Sequence, residues 1–326
     1  MSDNHPVPDR KTGLAPGQFR EDSLTNSAGT RSYKVYIPAS YRGQSLPLVV
    51  MLHGCSQNPD DFAAGTRMNV VAEENSCFVL YPSQPEAANK SRCWNWFYEL
   101  NQQRDKGEPS IIADITRDVI KTYNIDTQSV FIAGMSAGGA MAIVMAATYP
   151  ELYVAIGSHS GMPFSSARNV FKAMSAMGNG AAPITSLDVT GVPIIVFQGD
   201  KDRRVHPRNG DQIISQWMSS RTPPADTFLE EVRESNGRPY QRTIYRDTVG
   251  KVVAEHWLIK GGGHAWSGGS AEGSQTDFLG PDASREMLRF FLGDLPRPTL
   301  PQIGGSLRRI ARRYLRGLRL RHWSNS

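Results

Sequence analysis

A chain of 326 residues, 39% of them apolar and 21% charged, has the length and balance of a globular protein with a sizeable core. No stretch approaches the roughly 18 to 20 continuous apolar residues of a membrane span, and three cysteines exclude a disulfide scaffold or a cysteine-built zinc site. The net charge of +5 is local: residues 295–326 hold eight arginines and no acidic residue, so the rest of the chain is net negative.

Residues 1–28 lack periodicity and an apolar segment, so they read as a flexible leader without a secretory signal, which sets a cytoplasmic expectation. Residues 29–296 read as one catalytic domain and 297–326 as a basic tail. In the domain, Tyr33, Val35 and Ile37 alternate with Lys34 and Tyr36, the pattern of a half-buried strand near a sheet edge. LPLVVML (46–52) is continuously apolar, as expected of a central strand covered on both faces, and runs into His53-Gly54-Cys55. Asn58-Pro59-Asp60-Asp61 is a helix start. Phe78–Tyr81 predicts another buried strand, followed by a long aromatic loop to Gly107 that carries Cys93-Trp94-Asn95-Trp96-Phe97-Tyr98.

Ile112, Ile115, Val119 and Tyr123 share one helical face. Tyr153–Gly157 and Pro193–Phe197 predict further buried strands, with a helix and loop between Phe164 and Ala182 forming a cleft wall too short for a cap domain. Arg242–Tyr245 and Val252–Ile259 predict a late strand pair, and Ser284–Leu292 a closing helix. Buried strands alternating with helices give a largely parallel sheet covered on both faces.

The centre of this arrangement is SVFIAGMSAGG (129–139): a strand, a G-x-S-x-G turn and a small-residue helix, the pattern of a nucleophile elbow. The turn presents Ser136 Oγ at the positive end of the following helix. A serine needs a base, an orienting acid and an oxyanion hole, and in this pattern the chain order is serine, acid, histidine. The loop after Pro193–Phe197 offers Asp200 and Asp202. Asp202 sits where the loop turns back, and Asp200 reads as a turn residue. Of the later histidines, His206 follows Asp202 too closely, His256 lies within a strand and His322 in the tail. His264 follows Gly261-Gly262-Gly263 and reads as the base. The backbone N–H groups of Ala137 and Cys55 are the expected oxyanion donors, with His53 bracing its loop. Trp266 is expected to wall the cleft, with Trp94 and Trp96 as further substrate-contact candidates, although tryptophans also serve as core. Cys55 and Cys93 begin loops at the same sheet end. A disulfide between them and a pair of free thiols both remain open, while Cys77 reads as core. No metal or cofactor is called for.

LPLVVMLHGCSQNPDDF, the YPSQ…CWNWF run, GMSAGGAM, GDKDRRVHPRNG and GGGHAWSGG together resemble the polyhydroxybutyrate (PHB) depolymerase-type esterases, a family close to the feruloyl and acetylxylan esterases of carbohydrate esterase family 1. The resemblance covers about Thr30 to Leu295. It implies an α/β-hydrolase fold, Ser136, Asp202 and His264 as the triad, Cys55 and Ala137 at the oxyanion positions, and short-chain hydroxyalkanoate or related esters as substrates. It also makes an extracellular location the alternative. Without a visible signal sequence or polymer-binding domain, soluble oligomers or small esters are the expected substrates. A feruloyl or acetylxylan esterase and an acyltransferase are the alternatives on the same scaffold.

In the tail, Leu307, Ile310, Tyr314, Leu315 and Leu318 recur at helical spacing among arginines. This is a basic amphipathic helix suited to an anionic membrane or a polymer-granule surface, with nucleic acid the weaker fit.

Overall fold

Apolar strands too continuous to face water on either side pair with one another at the centre of the molecule. The computed structural model describes residues 17–182, 191–219, 224–233 and 237–293. The chain enters through a hairpin, β1 (Gln18–Asn26) and β2 (Gly29–Ile37), then crosses the centre as β3 (Leu46–Leu52). Asn58 caps α1 (Pro59–Thr66), its side chain accepting the Asp61 N–H at 2.9 Å. Helix α2 (Met68–Glu74) leads to β4 (Phe78–Pro82), and the aromatic loop to α3 (Gly107–Thr122). Strand β5 (Ile125–Met135) ends in the elbow and α4 (Ala137–Thr148). Then come β6 (Ala155–His159), α5 (Val170–Asn179), β7 (Ile194–Gly199) and α6 (Arg208–Ser219). Strands β8 (Asp226–Val232), β9 (Tyr240–Arg246) and β10 (Val252–Ile259) follow. The two-residue pair β11 (Trp266–Ser267) and β12 (Thr276–Asp277) and helix α7 (Ala283–Leu292) complete the described chain.

Among the described residues, ten strands form one sheet in the order β1-β2-β4-β3-β5-β6-β7-β10-β9-β8. The six from β4 to β10 are parallel and the outer pairs antiparallel. The run LPLVVML is divided by the pleat. Leu48, Val50 and Leu52 pack with α3, α4, α5 and α6 on one face, and Val49 and Met51 with α1, α2 and α7 on the other. This is an α/β-hydrolase sheet with helices on both faces. No helix among the described residues is long and apolar enough to cross a membrane.

The leader reading needs one correction. Residues 18–26 form β1, paired along its whole length with β2. QFREDSLTN is polar on both faces, so it shows no period-2 pattern. What holds it is main-chain pairing and the edge of Phe19 against Tyr81, with centroids 5.6 Å apart. Strand β8 is likewise mostly exposed and polar, and the sequence patterns did not reveal it. The remaining leader and the basic tail lie outside the described residues.

Candidate active site

Parallel pairing brings the carboxyl ends of β3, β5, β7 and β10 to the same side of the sheet, where ligands of open α/β sheets bind. Met135 of β5 is level with His159 of β6, and His159 with Phe197 of β7. Cys55, Ser136, Ala137, Asp202 and His264 each leave one of these strand ends within a few residues.

Ser136 follows β5 directly and has φ +55° and ψ −119°, a conformation that costs a non-glycine residue of order 1–3 kcal/mol. Crowding enforces it. A Cβ on Gly138 would stand 2.0 Å from the Leu52 carbonyl, and one on Gly134 would stand 2.5 Å from the Gly138 carbonyl carbon. The Ser136 N–H is held by the His159 carbonyl at 2.8 Å, and α4 starts at Ala137. Among the described residues, the N–H groups of Ala137 and Cys55 have no acceptor, so both remain available at the mouth of the elbow.

The loop after β7 carries the candidate acid. Asp202 Oδ2 lies 2.8 Å from His264 Nδ1, while its Oδ1 accepts the N–H groups of Arg204 and Val205, each at 2.9 Å. Burial works to raise this carboxyl, but the hydrogen bond and charge of His264 with the two backbone N–H groups outweigh it and hold the pKa below the usual value. Asp202 is thus an ionised acceptor, and its contact places the ring proton of His264 on Nδ1 and leaves Nε2 with a lone pair. Asp200 instead accepts the Gly261 N–H at 2.6 Å and braces the glycine-rich loop. Among the described residues, Ser136 and His264 make no direct hydrogen bond to one another, and both stand at the carboxyl end of the parallel strands.

His53 is wholly buried. Its Nδ1 bonds the Gly54 carbonyl at 2.8 Å and its Nε2 accepts the Gln84 N–H at 3.1 Å. Burial lowers its pKa to about 4, so it is a neutral brace for the loop that follows β3. Cys55 and Cys93 form a disulfide. That bridge, with Ser136, Ala137, Trp96, Met162, Met177 and Val205, lines an apolar cavity of about 130 Å³. A larger hollow of about 340 Å³, against Ile37, Tyr41 and Tyr123, opens at the amino end of the parallel strands and holds none of these groups.

Two of the three tryptophans are misassigned by the sequence reading. Trp266 is 1% exposed and belongs to the core beneath the site, its indole N–H donating to Ser284 Oγ at 3.1 Å and its ring edge-on to Phe62. Trp94 is fully buried beside His53 and does not line the cavity. Trp96 reaches the cavity wall, whereas Trp94 packs behind it against His53; the chain turns between them and Tyr98, whose N–H donates to the Asn95 carbonyl at 3.2 Å. The polar anchors of this loop were missed. Buried Glu108 accepts the Asn95 N–H and side-chain amide at 2.7 Å each, and Gln84 donates to the Cys93 carbonyl at 2.9 Å. Arg31 lies 3.7 Å from Glu108. Polar residues scattered between positions 31 and 108 give no local signal of such a cluster.

The description "Esterase PHB depolymerase" belongs to the family model that matches residues 31–224. The chain belongs to that family. It is 27% identical over 256 residues to poly(3-hydroxyalkanoate) depolymerase C of Paucimonas lemoignei, a match that covers 74% of this chain and 59% of that relative. The chain thus spans less than two thirds of that depolymerase. It is 26% identical over 288 residues to feruloyl esterase B of Neurospora crassa, covering 82% of this chain and 89% of the relative. Acetyl xylan esterase from Aspergillus awamori superposes with a TM-score of 0.63 at 22% identity, covering 75% of this chain and 94% of that one, which shows the shared fold. Membership of the PHB depolymerase family makes ester hydrolysis the chemistry against which the site is to be read.

Proposed function

We propose that this PHB depolymerase-family chain is a serine carboxylic-ester hydrolase working through Ser136, His264 and Asp202. The observation that carries the reading is the 2.8 Å contact between Asp202 and His264, made by residues 62 apart at the sheet end that also bears the elbow. Ser136 Oγ attacks the ester carbonyl as His264 Nε2 takes its proton, while Asp202 stabilises the imidazolium without accepting the proton. The N–H groups of Ala137 and Cys55 receive the oxyanion. His264 then returns the proton to the departing alkoxide. Water, activated by the same imidazole, cleaves the acyl-enzyme and frees the acid.

Substrates are proposed to be short-chain hydroxyalkanoate (hydroxybutyrate) oligomers or related small esters. The cavity of about 130 Å³ beside Ser136 supports a small acyl group, because a closed apolar cavity of about 150 Å³ is filled by benzene. Acetylxylan or feruloyl esters are the second reading, supported by the named chemistry of the relatives. A panel of p-nitrophenyl butyrate, hydroxybutyrate oligomers, acetylated xylan and methyl ferulate, run with and without a competing alcohol, tests this. Short esters are expected to turn over fastest, with water as the main acceptor. Preference for ferulate would overturn the substrate reading, and ester products in place of acids would indicate an acyltransferase.

The Cys55–Cys93 bridge supports the extracellular alternative over the cytoplasmic one, since cytosolic thiol pools keep such pairs reduced. The arginine-rich segment 297–326 is proposed to adsorb to anionic surfaces. Truncation after Pro296 is expected to abolish sedimentation with phosphatidylserine vesicles and to leave turnover of soluble esters unchanged.

A further inference from the structure

One buried group touches both halves of the proposed machinery and has no place in the chemistry. His159 ends β6, the strand between the one that delivers the nucleophile and the one that delivers the acid. Its carbonyl accepts the Ser136 N–H at 2.8 Å. Its side chain reaches the other way: Nε2 accepts the N–H of Ser267, three residues beyond His264, at 3.1 Å. A ring nitrogen that accepts a backbone N–H carries no proton, so the proton sits on Nδ1, which donates to Ser160 Oγ at 3.1 Å. The imidazole is stacked between Phe197 and Trp266, with centroids 5.8 and 5.2 Å away and planes tilted by 8° and 26°.

We propose that His159 is a positioning residue that sets the His264 loop at working distance from Ser136. The inference rests on the triad reading above. The main chain of His159 fixes the nucleophile's backbone, and its ring fixes the strand that the base's loop enters. Both nitrogens are engaged, so the ring has no lone pair or proton to offer Ser136 Oγ and cannot replace His264 as base. Burial, with the nearby charge of His264, lowers its pKa to about 3, which keeps Nε2 an acceptor across the neutral range. Asp202 is the other charged group that acts on it, in the opposite sense. The rest of the loop hangs on main-chain bonds to β7 and its turn (Asp200 N–H to Ile259 O, Lys201 N–H to Gly262 O) and to β12's approach (Trp266 N–H to Gln275 O), and on the side chains of Asp200 and Asp202 from the β7 turn, which hold the Gly261 N–H and His264 Nδ1. His159 is the side chain that joins this loop to the elbow strand's neighbour. The same feature explains why Trp266 is core: its ring is one of the two plates that hold the imidazole flat.

The test compares His159→Phe, which keeps the stacking and removes the acceptor, with His159→Gln, whose Oε1 can take the place of Nε2. Steady-state kcat and KM on p-nitrophenyl butyrate are measured alongside the rate of Ser136 labelling by a fluorophosphonate, on protein shown folded by circular dichroism. For the phenylalanine variant, kcat and the labelling rate are expected to fall by about 10- to 100-fold with KM changed less than about twofold, the pattern of a displaced catalytic group. The glutamine variant is expected to recover most of the loss. A phenylalanine variant that labels and turns over like the parent, or equal losses in both folded variants, would overturn the proposal. If the phenylalanine variant does not fold, ¹⁵N spectra of the parent decide: His159 is expected as a fixed Nδ1–H tautomer throughout the neutral range, and a ring that protonates or switches tautomer there overturns it. Absence of Ser136 labelling in the parent would instead strike the triad reading itself.

Discussion

The elbow and the aromatic loop stand at the same end of the same sheet, but they are held by different physics. The elbow is fixed sterically. Gly134 and Gly138 are the only residue type that fits between Leu52 and the following helix, and Ser136 takes up a strained backbone as a result. The aromatic loop is fixed by cross-links, a disulfide to the loop after β3 and a buried cluster of Arg31, Gln84, Asn95 and Glu108. Disturbing the first should be felt in rate, and disturbing the second in stability.

The largest effect is expected of Ser136→Ala, which should lower kcat by roughly three or more orders of magnitude and leave the thermal midpoint unchanged or slightly raised, measured by ester assay and calorimetry. Gly138→Ala comes next. Its Cβ would meet the Leu52 carbonyl at 2.0 Å, and the backbone shift that relieves the clash should cost about 100-fold in kcat and about 1–3 kcal/mol of stability. The cross-linked side answers in the reverse order. Replacing both Cys55 and Cys93 by serine opens a closure of 38 residues, worth about 4 kcal/mol on the chain-entropy model, and urea unfolding should register it. Because serine retains the N–H at position 55, kcat should change by less than about tenfold. A cysteine pair whose loss costs more rate than the Gly138 change would break the distinction.

Acid separates the two regions more gently. His53 and His159 are buried and neutral, with pKa values of about 4 and about 3, below the ordinary value of about 6.5. Between those limits the unfolded chain binds more protons than the folded one, so stability rises with pH there. These groups should leave stability flat above about pH 7 and reduce it as pH falls from about 6.5 toward 4 and then 3. Asp202, held low, keeps its contribution until the pH drops below the normal carboxylate range. Urea unfolding at several pH values checks this, and His159→Gln should flatten part of the slope.

What could be read from the chain follows the same division. The meeting of the elbow, the Asp202 loop and the His264 loop at one sheet end was legible because steric demand and chain order leave few alternatives: glycines flank the serine, a turn follows a buried strand, and a glycine run precedes the histidine. The parallel core was legible for the same reason, in unbroken apolar runs such as LPLVVML. Strand β1 was not, since its pairing is made by main-chain groups that every residue carries. Nor were the partners of the aromatic loop, because Arg31, Gln84 and Glu108 look like surface residues until tertiary contact pairs them. Trp94 and Trp266 failed for a further reason: composition marks a tryptophan as important without telling which side of a wall it faces.

The most direct trial of the account is mass-spectrometric mapping of fluorophosphonate adducts on the parent and on His264→Ala. A single adduct on the peptide carrying Ser136, formed rapidly in the parent and slowed by about a thousandfold or more in the alanine variant, is the predicted result. An adduct on another residue, or equal labelling of Ser136 in both proteins, would contradict it.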